Sequence, residues 1–286
     1  MVNFQVPETA QKMMQYDMIQ EYTELPEFPL YRTNLLRLFL HSGNPVSSKE
    51  AELFPLATSL VQLALDTHDM VEQASGEENY RQKRSKQLRV LAGDYFSSRF
   101  YHLLSQAGQI DLVKRLSAAI CTVNTMKMNL YEKMQQFRLT AEEYFHQTVN
   151  IKSELFLCFA NLLNGVYRKH WPGMLNRMTK CEVIADEIKR MNTASLFPKS
   201  WAYWFLLQSG TSEERSMLIN GMSGGCEQEI QAMLTKYNVS ALLHKMLETE
   251  LQKMIQEVRQ FASESLMDDL LRLVDPLFHL LPASKS

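Results

Sequence analysis

Val90-Leu91-Ala92-Gly93-Asp94-Tyr95-Phe96-Ser97-Ser98-Arg99-Phe100-Tyr101 is the stretch that decides the fold class. Taken with Leu88 before it and Leu103 beyond, its apolar side chains at 88, 91, 95, 96, 100 and 103 recur at steps of three and four, with the adjacent pair Tyr95-Phe96 widening the stripe. That spacing lines one face of an α-helix. Gly93 and Asp94 interrupt it. A glycine and a carboxylate on a packed helical surface cost stability unless a neighbour comes close and the charge is satisfied. Two accounts are open: a specific polar contact at Asp94, or a helix-packing Gly93 with Asp94 left in water.

The same period runs outward in both directions. Ser47 or Ser48 can cap a helix through Leu53 to about Gln73, closed by Gly76, with Glu50 completing a capping box if Ser47 is the cap. After the 88–103 stripe, Leu116, Ile120, Val123, Leu130 and Met134 form another, with Lys127 as its misfit. Further helices are expected from about Thr140 to Val166, from about Leu175 to Met191, along Leu243, Leu247, Leu251, Met254, Val258 and Phe261, and through Leu266, Leu270 and Leu273 to a break near Pro276. Turn signals such as Glu24-Leu25-Pro26-Glu27-Phe28-Pro29, His41-Ser42-Gly43-Asn44-Pro45 and Ser223-Gly224-Gly225 are short. They punctuate one helical domain over residues 1–286, an all-α multi-helix bundle with neither repeats nor low-complexity tracts.

Composition agrees. Ten Gly and nine Pro in 286 residues are few for a chain built of hairpins, and the 17 Met suit irregular apolar interiors or adaptable interfaces. The formal charge of -2, from 30 basic and 32 acidic residues, offers no excess of cations for a phosphate backbone, which argues against nucleic acid. Cys121, Cys158, Cys181 and Cys226 lie far apart and read as buried thiols of a reducing compartment, hence a cytoplasmic protein. The N-terminus lacks the order of a secretion signal and no apolar run can cross a bilayer, so membrane contact would be peripheral.

Phosphate-loop, dinucleotide, zinc-protease and serine-hydrolase motifs are absent. Two acidic clusters remain. Asp66 and Asp69 lie three apart on one helix face, an arrangement that could share a Mg²⁺ with substrate phosphates or simply be solvated. Asp268-Asp269 falls off the Leu266, Leu270, Leu273 stripe and reads as the polar side of an amphipathic helix.

The chain resembles the trans-polyprenyl diphosphate synthases, through Leu91-Ala92-Gly93-Asp94-Tyr95 following His68-Asp69-Met70-Val71-Glu72, and through Tyr144-Phe145 followed by Lys152-Ser153. These landmarks cover most of the chain and imply the isoprenoid synthase fold. The departures are sharper than the matches. The family's His-Asp-Asp-x-x-Asp stands here as His68-Asp69-Met70-Val71-Glu72-Gln73, and the paired arginines that follow it give way to the acidic Ala74-Ser75-Gly76-Glu77-Glu78-Asn79. The second aspartate-rich motif aligns as Cys181-Glu182-Val183-Ile184-Ala185-Asp186-Glu187-Ile188-Lys189, and the family's Gly-Glu after Gly-Asp-Tyr is replaced near Lys127. Ionising an allylic diphosphate needs Mg²⁺ ions held between two facing carboxylate clusters. The lone aspartates Asp69 and Asp186 are remnants too sparse for ions that want near-octahedral oxygen ligands.

Within the family, the resemblance is strongest to the small subunits of heterodimeric heptaprenyl and hexaprenyl diphosphate synthases, through Leu91 to Tyr95, Tyr101, and Asn124-x-x-Lys127-Met128-x-x-Tyr131. It implies a subunit inactive alone, with neither catalytic residues nor a cofactor of its own. The implied partner is an aspartate-rich large subunit holding the Mg²⁺. The pair would elongate farnesyl diphosphate with isopentenyl diphosphate for the menaquinone side chain, the small subunit lining the prenyl tunnel. Asp94, Tyr95, Tyr101, Lys127 and Tyr131 are the candidates for the subunit interface or tunnel, and Lys152 matches a position that contacts diphosphate. An ammonium such as Lys127 on an apolar stripe needs an acidic partner or phosphate, unless it reaches water at the helix edge or pairs with Asp94. Two alternatives to this reading are a self-sufficient prenyl or terpene synthase using Asp66, Asp69 and Asp186, and an unrelated helical interaction protein.

Overall fold

A computed structural model describes residues 7–15, 23–43, 46–71, 79–193, 195–220, 227–261 and 263–282. Every regular element among them is helical. In chain order the α-helices are α1 (Glu8–Met14), α2 (Leu30–Gly43), α3 (Ser48–Asp69), α4 (Tyr80–Gln106), α5 (Ile110–Gln135), α6 (Ala141–Leu157), α7 (Gly165–Arg190), α8 (Trp201–Ser209), α9 (Ser212–Asn220), α10 (Glu227–Lys236), α11 (Val239–Val258) and α12 (Glu264–Phe278). No helix among the described residues is long and apolar enough to cross a membrane.

These residues form two compact units. The first comprises the chain up to Thr122 with Glu154–Pro172, the second Val123–Ser153 with Gly173 onward. In the first unit α3 opens on the expected capping box: Ser47 Oγ accepts from the Glu50 N–H, and the Glu50 carboxylate accepts from the Ser47 N–H at 2.8 Å. The continuation of α3 towards Gln73 and Gly76 lies outside the described residues. The core around α2 and α3 contains Leu35, Phe39, Phe54, Leu60 and Leu63, and it also buries a polar seam. Arg32 donates to Gln62 Oε1 at 3.3 Å while its guanidinium sits 5.2 Å over the Phe156 ring, and the Thr33 and Ser59 hydroxyls meet at 2.6 Å.

Three boundaries differ from the sequence expectation. The helix expected to run from Thr140 to Val166 ends at Leu157, where the Trp171 indole N–H takes the Phe156 carbonyl at 3.2 Å. A short 3₁₀ turn, Ala160–Leu162, follows, and Gly165 starts α7 at φ +52. The α7 helix thus begins ten residues before the expected Leu175 and carries Pro172 inside it, because Pro172 and Gly173 face outward and the missing N–H leaves no buried carbonyl stranded. Likewise α12 runs past Pro276 to Phe278, since Pro276 is exposed while Leu273, Val274 and Leu277 hold that turn against the core.

The second unit keeps its expected stripe without exception: Leu243, Leu247, Leu251, Met254, Val258 and Phe261 are all buried. Asp268 is exposed and Asp269 half-buried, as expected of a polar side. Cysteine placement corrects one reading: Cys121 is exposed and Cys158 half-buried, and only Cys181 of the described three is buried. Burial, aided by Glu154, pushes the Cys158 thiol up to about 11, so it stays protonated at neutral pH. Cys226 lies outside the described residues.

Candidate functional site

The first-motif remnant sits at the junction of α3 and α4. Gly93 is buried against His68: a Cβ at position 93 would lie 2.5 Å from His68 Cε1. The glycine therefore lets the two helices approach closely at the motif. Asp94 is 67% exposed in its side chain, and its carboxylate stands 3.6 Å from His68 Nε2. Of the two accounts of Gly93-Asp94, the packing glycine with an outward carboxylate is the one observed, with His68 as the nearby partner. Asp66 accepts from the Gln62 amide at 2.9 Å, which ties it to the buried Arg32 through Gln62. Asp69 is exposed, and Glu72 with the acidic 74–78 stretch lies outside the described residues.

The 88–103 stripe is rotated from its expected setting. Leu88, Ala92, Phe96, Phe100 and Leu104 are buried at strict i, i+4 spacing, whereas Leu91, assigned to the core on sequence, is 59% exposed. Leu91, Asp94, Ser98 and Tyr101 share an exposed face at i, i+3, i+7 and i+10. The Tyr101 hydroxyl meets Ser117 Oγ at 3.1 Å, and the half-buried Tyr95 packs 5.7 Å from the Phe96 ring. In the second unit, α5 presents Asn124, Met128 and Tyr131 at i, i+4 and i+7, all exposed, with Met128 72% so. Lys127 beside them is half-buried.

The second-motif remnant is built differently. Asp186 on α7 faces Lys152 on α6, Nζ to Oδ2 3.5 Å, both largely shielded from water. Glu187, the next residue, is buried. Its Oε2 accepts the Trp201 N–H at 2.6 Å, filling one of the orphan donors at the start of α8, and its Oε1 lies 3.1 Å from the Tyr144 hydroxyl. The Tyr144 hydroxyl also reaches the Lys199 carbonyl at 2.7 Å. Tyrosine has one proton for these two acceptors. When it goes to Lys199, Glu187 completes the network by keeping its own proton and donating to the tyrosine oxygen. Burial accordingly pushes Glu187 up to about 7, against the pull of Arg190 and the Trp201 N–H, and pushes the Tyr144 phenol far above its ordinary range. No group of three or more His, Cys, Asp or Glu residues among those described is arranged to hold a metal ion.

Sequence reasoning found Lys152 and Asp186 but missed that they meet, and missed Glu187 altogether. The signal for Glu187 was present: Val183, Ile184 and Glu187 lie at 0, 1 and 4 on one α7 face, so the glutamate follows two apolar residues into the core.

The architecture is that of the isoprenyl diphosphate synthases. A geranylgeranyl pyrophosphate synthase from Lactobacillus brevis ATCC 367 superposes with a TM-score of 0.71 at 13% identity, covering 97% of this chain and all of that one. A decaprenyl diphosphate synthase from Rhodobacter capsulatus gives 0.66 at 14% identity over 98% and 93%. At such identities the likeness defines the fold. Residues 16–198 match the family heptaprenyl diphosphate synthase (HEPPP synthase) subunit 1, and the chain belongs to that family. A curated relative, heptaprenyl diphosphate synthase component 1 of Geobacillus stearothermophilus, is 35% identical over 119 residues, which are 42% of this chain and about half the length of that relative.

Proposed function

We propose that this chain is the non-catalytic subunit of a heterodimeric all-trans heptaprenyl (or hexaprenyl) diphosphate synthase, working in the cytoplasm. Its partner is a catalytic subunit that carries both aspartate-rich motifs and the Mg²⁺. The observation that carries the reading is the internal capture of the second-motif carboxylates. The Lys152 ammonium stands 3.5 Å from Asp186 Oδ2 and offsets its charge, and Glu187 is engaged by the Trp201 N–H at the start of α8, so neither carboxylate is left open to hold a Mg²⁺. A carboxylate held by an ammonium has little charge left to offer a metal–diphosphate cluster. On this reading Lys152 offsets the charge of Asp186 within the chain.

Pairing is supported by the apolar side chains that α4 and α5 leave in water. Leu91 and Tyr101 on α4 and, in the other unit, Met128 and Tyr131 on α5 are each of the residue types that interfaces bury, with Asp94 on the first helix and Lys127 on the second as charges that can set register. A tunnel wall lent by this subunit would favour elongation by roughly 0.8 kcal/mol for each CH₂ of tail it shields. The test is co-expression with an aspartate-rich prenyl synthase and native mass measurement. One-to-one complexes are expected, and Leu91→Glu combined with Met128→Glu should dissociate them while leaving the helical circular dichroism of each chain intact. Complexes indifferent to both substitutions would remove α4 and α5 as the docking helices. Lys127→Ala in the co-expressed pair is expected to alter rate or product length; an unchanged rate and product would take Lys127 out of the interface.

A further inference from the structure

The second unit contains a cavity of about 330 Å³ that none of the residues above requires. Trp201 and Phe205, one helical turn apart on α8, stack with ring centroids 4.9 Å apart and planes 13° from parallel, and form a flat wall. Phe145 of α6 and Ile184 of α7 close its floor, and Leu242 and Met246 of α11 stand across it. Three polar residues, Lys245, Thr249 and Glu250, complete the lining from α11. Glu250 is already neutralised, by Arg177 at 3.4 Å and Lys253 at 3.0 Å. Lys245 is exposed and has no ion pair among the described residues.

We propose that this cavity is a binding site for a single-chain anionic amphiphile, an acyl or isoprenoid chain ending in a carboxylate or phosphate. Its volume equals about eleven waters at ~30 Å³ each, so a chain on the order of ten carbons fills it. A thioether and stacked aromatic rings accept a chain of irregular shape, and pockets of this size with few polar groups are the usual form of small-molecule sites. The one uncompensated charge in the lining is positive, which selects an anionic head. The Glu187 carboxyl fixes the wall from behind through the Trp201 N–H, so the site stands preformed in the free chain. It holds whether or not the chain pairs with a catalytic subunit.

The experiment is calorimetric titration of the purified full chain, in EDTA, with laurate and with farnesyl monophosphate, each below its critical micelle concentration. Saturable one-to-one binding of at least one is expected, the tighter of the two identifying an acyl or an isoprenoid source. Shortening the chain from decanoate to octanoate should weaken binding by up to about fourfold per methylene. Lys245→Glu should weaken it about fivefold. Met246→Trp, which fills the cavity, should abolish it, as should Leu242→Trp at the rim if the first variant does not fold. Lys152→Ala should leave it unchanged. Absence of saturable binding by either amphiphile, or binding that survives both tryptophan substitutions, overturns the proposal.

Discussion

The acidic residues at the α3–α4 junction and those between α6 and α7 stand in opposite settings. At the α3–α4 junction the polar groups face outward: Asp94 is two-thirds exposed, its nearest partner His68 is itself partly exposed at 3.6 Å, and Gly93 serves only to bring the helices together. Between α6 and α7 they face inward: Asp186 is matched by Lys152, and Glu187 by a backbone N–H and a tyrosine. The first arrangement contributes little to stability and leaves the Asp94 charge and the apolar Leu91 side chain exposed. The second has become part of the scaffold. Burial separates the two settings: the exposed carboxylate keeps its charge at the surface, and the buried one is tied into the fold.

If that contrast is right, removing the buried Glu187 carboxyl should cost the most stability, and the size of each further effect should follow how closely the residue is packed rather than its charge. The largest effect is expected at Glu187. Glu187→Ala strands the Trp201 N–H and should cost about 1–3 kcal/mol in chemical denaturation at pH 5. Glu187→Gln keeps the network, its amide donating to the Tyr144 oxygen and its carbonyl accepting from Trp201, and should remain close to wild type at that pH.

Titration sharpens the same point. The folded carboxyl of Glu187 titrates near 7, above its ordinary value of 4.5, so between those pH values the folded state holds a proton that the unfolded state has released. Its contribution is therefore complete below about pH 4.5, falls as pH rises, and is lost above about 7. Stability measured from pH 4.5 to 8 should decline more steeply in the wild type than in Glu187→Gln. Parallel profiles would mean that Glu187 is ionised throughout.

A smaller effect is expected at the outward junction. Gly93→Ala places a methyl against the His68 ring and should cost about 1 kcal/mol through the displaced contact. Adding His68→Ala relieves that clash, and the double variant should be at least as stable as His68→Ala alone, because alanine favours the helix over glycine by about 1 kcal/mol. Smallest is Lys152→Ala, which leaves the part-shielded Asp186 without its ammonium. The pair is not fully desolvated, so a loss of about 1 kcal/mol or less is expected, with a double-mutant cycle against Asp186→Asn reporting the coupling.

Helix class and most helices were legible in the sequence because the apolar period recurs along nearly the whole chain, and α11 was read residue by residue. The face of α4 was not. Leu91 and Tyr95 look like core because they are apolar, and only the three-dimensional setting shows that Leu88, Ala92, Phe96 and Phe100 have taken the inside. Periodicity cannot tell a face buried in its own chain from one kept for another. The α6–α7 break was hidden for a different reason: it depends on the Trp171 indole reaching the Phe156 carbonyl, a contact between residues fifteen apart that no local propensity encodes. At the site, the sparse acidic pattern could be seen in the chain, but the meeting of Asp186 with Lys152 and the use of Glu187 at the start of α8 needed coordinates.

The most direct test of the central claim is product formation by the purified chain with Mg²⁺, farnesyl diphosphate and radiolabelled isopentenyl diphosphate, alone and then with an aspartate-rich catalytic partner. The account predicts no incorporation by the chain alone, and long-chain prenyl diphosphate from the mixture. Turnover by the isolated chain, abolished by Asp69→Ala or Asp186→Ala, would contradict it.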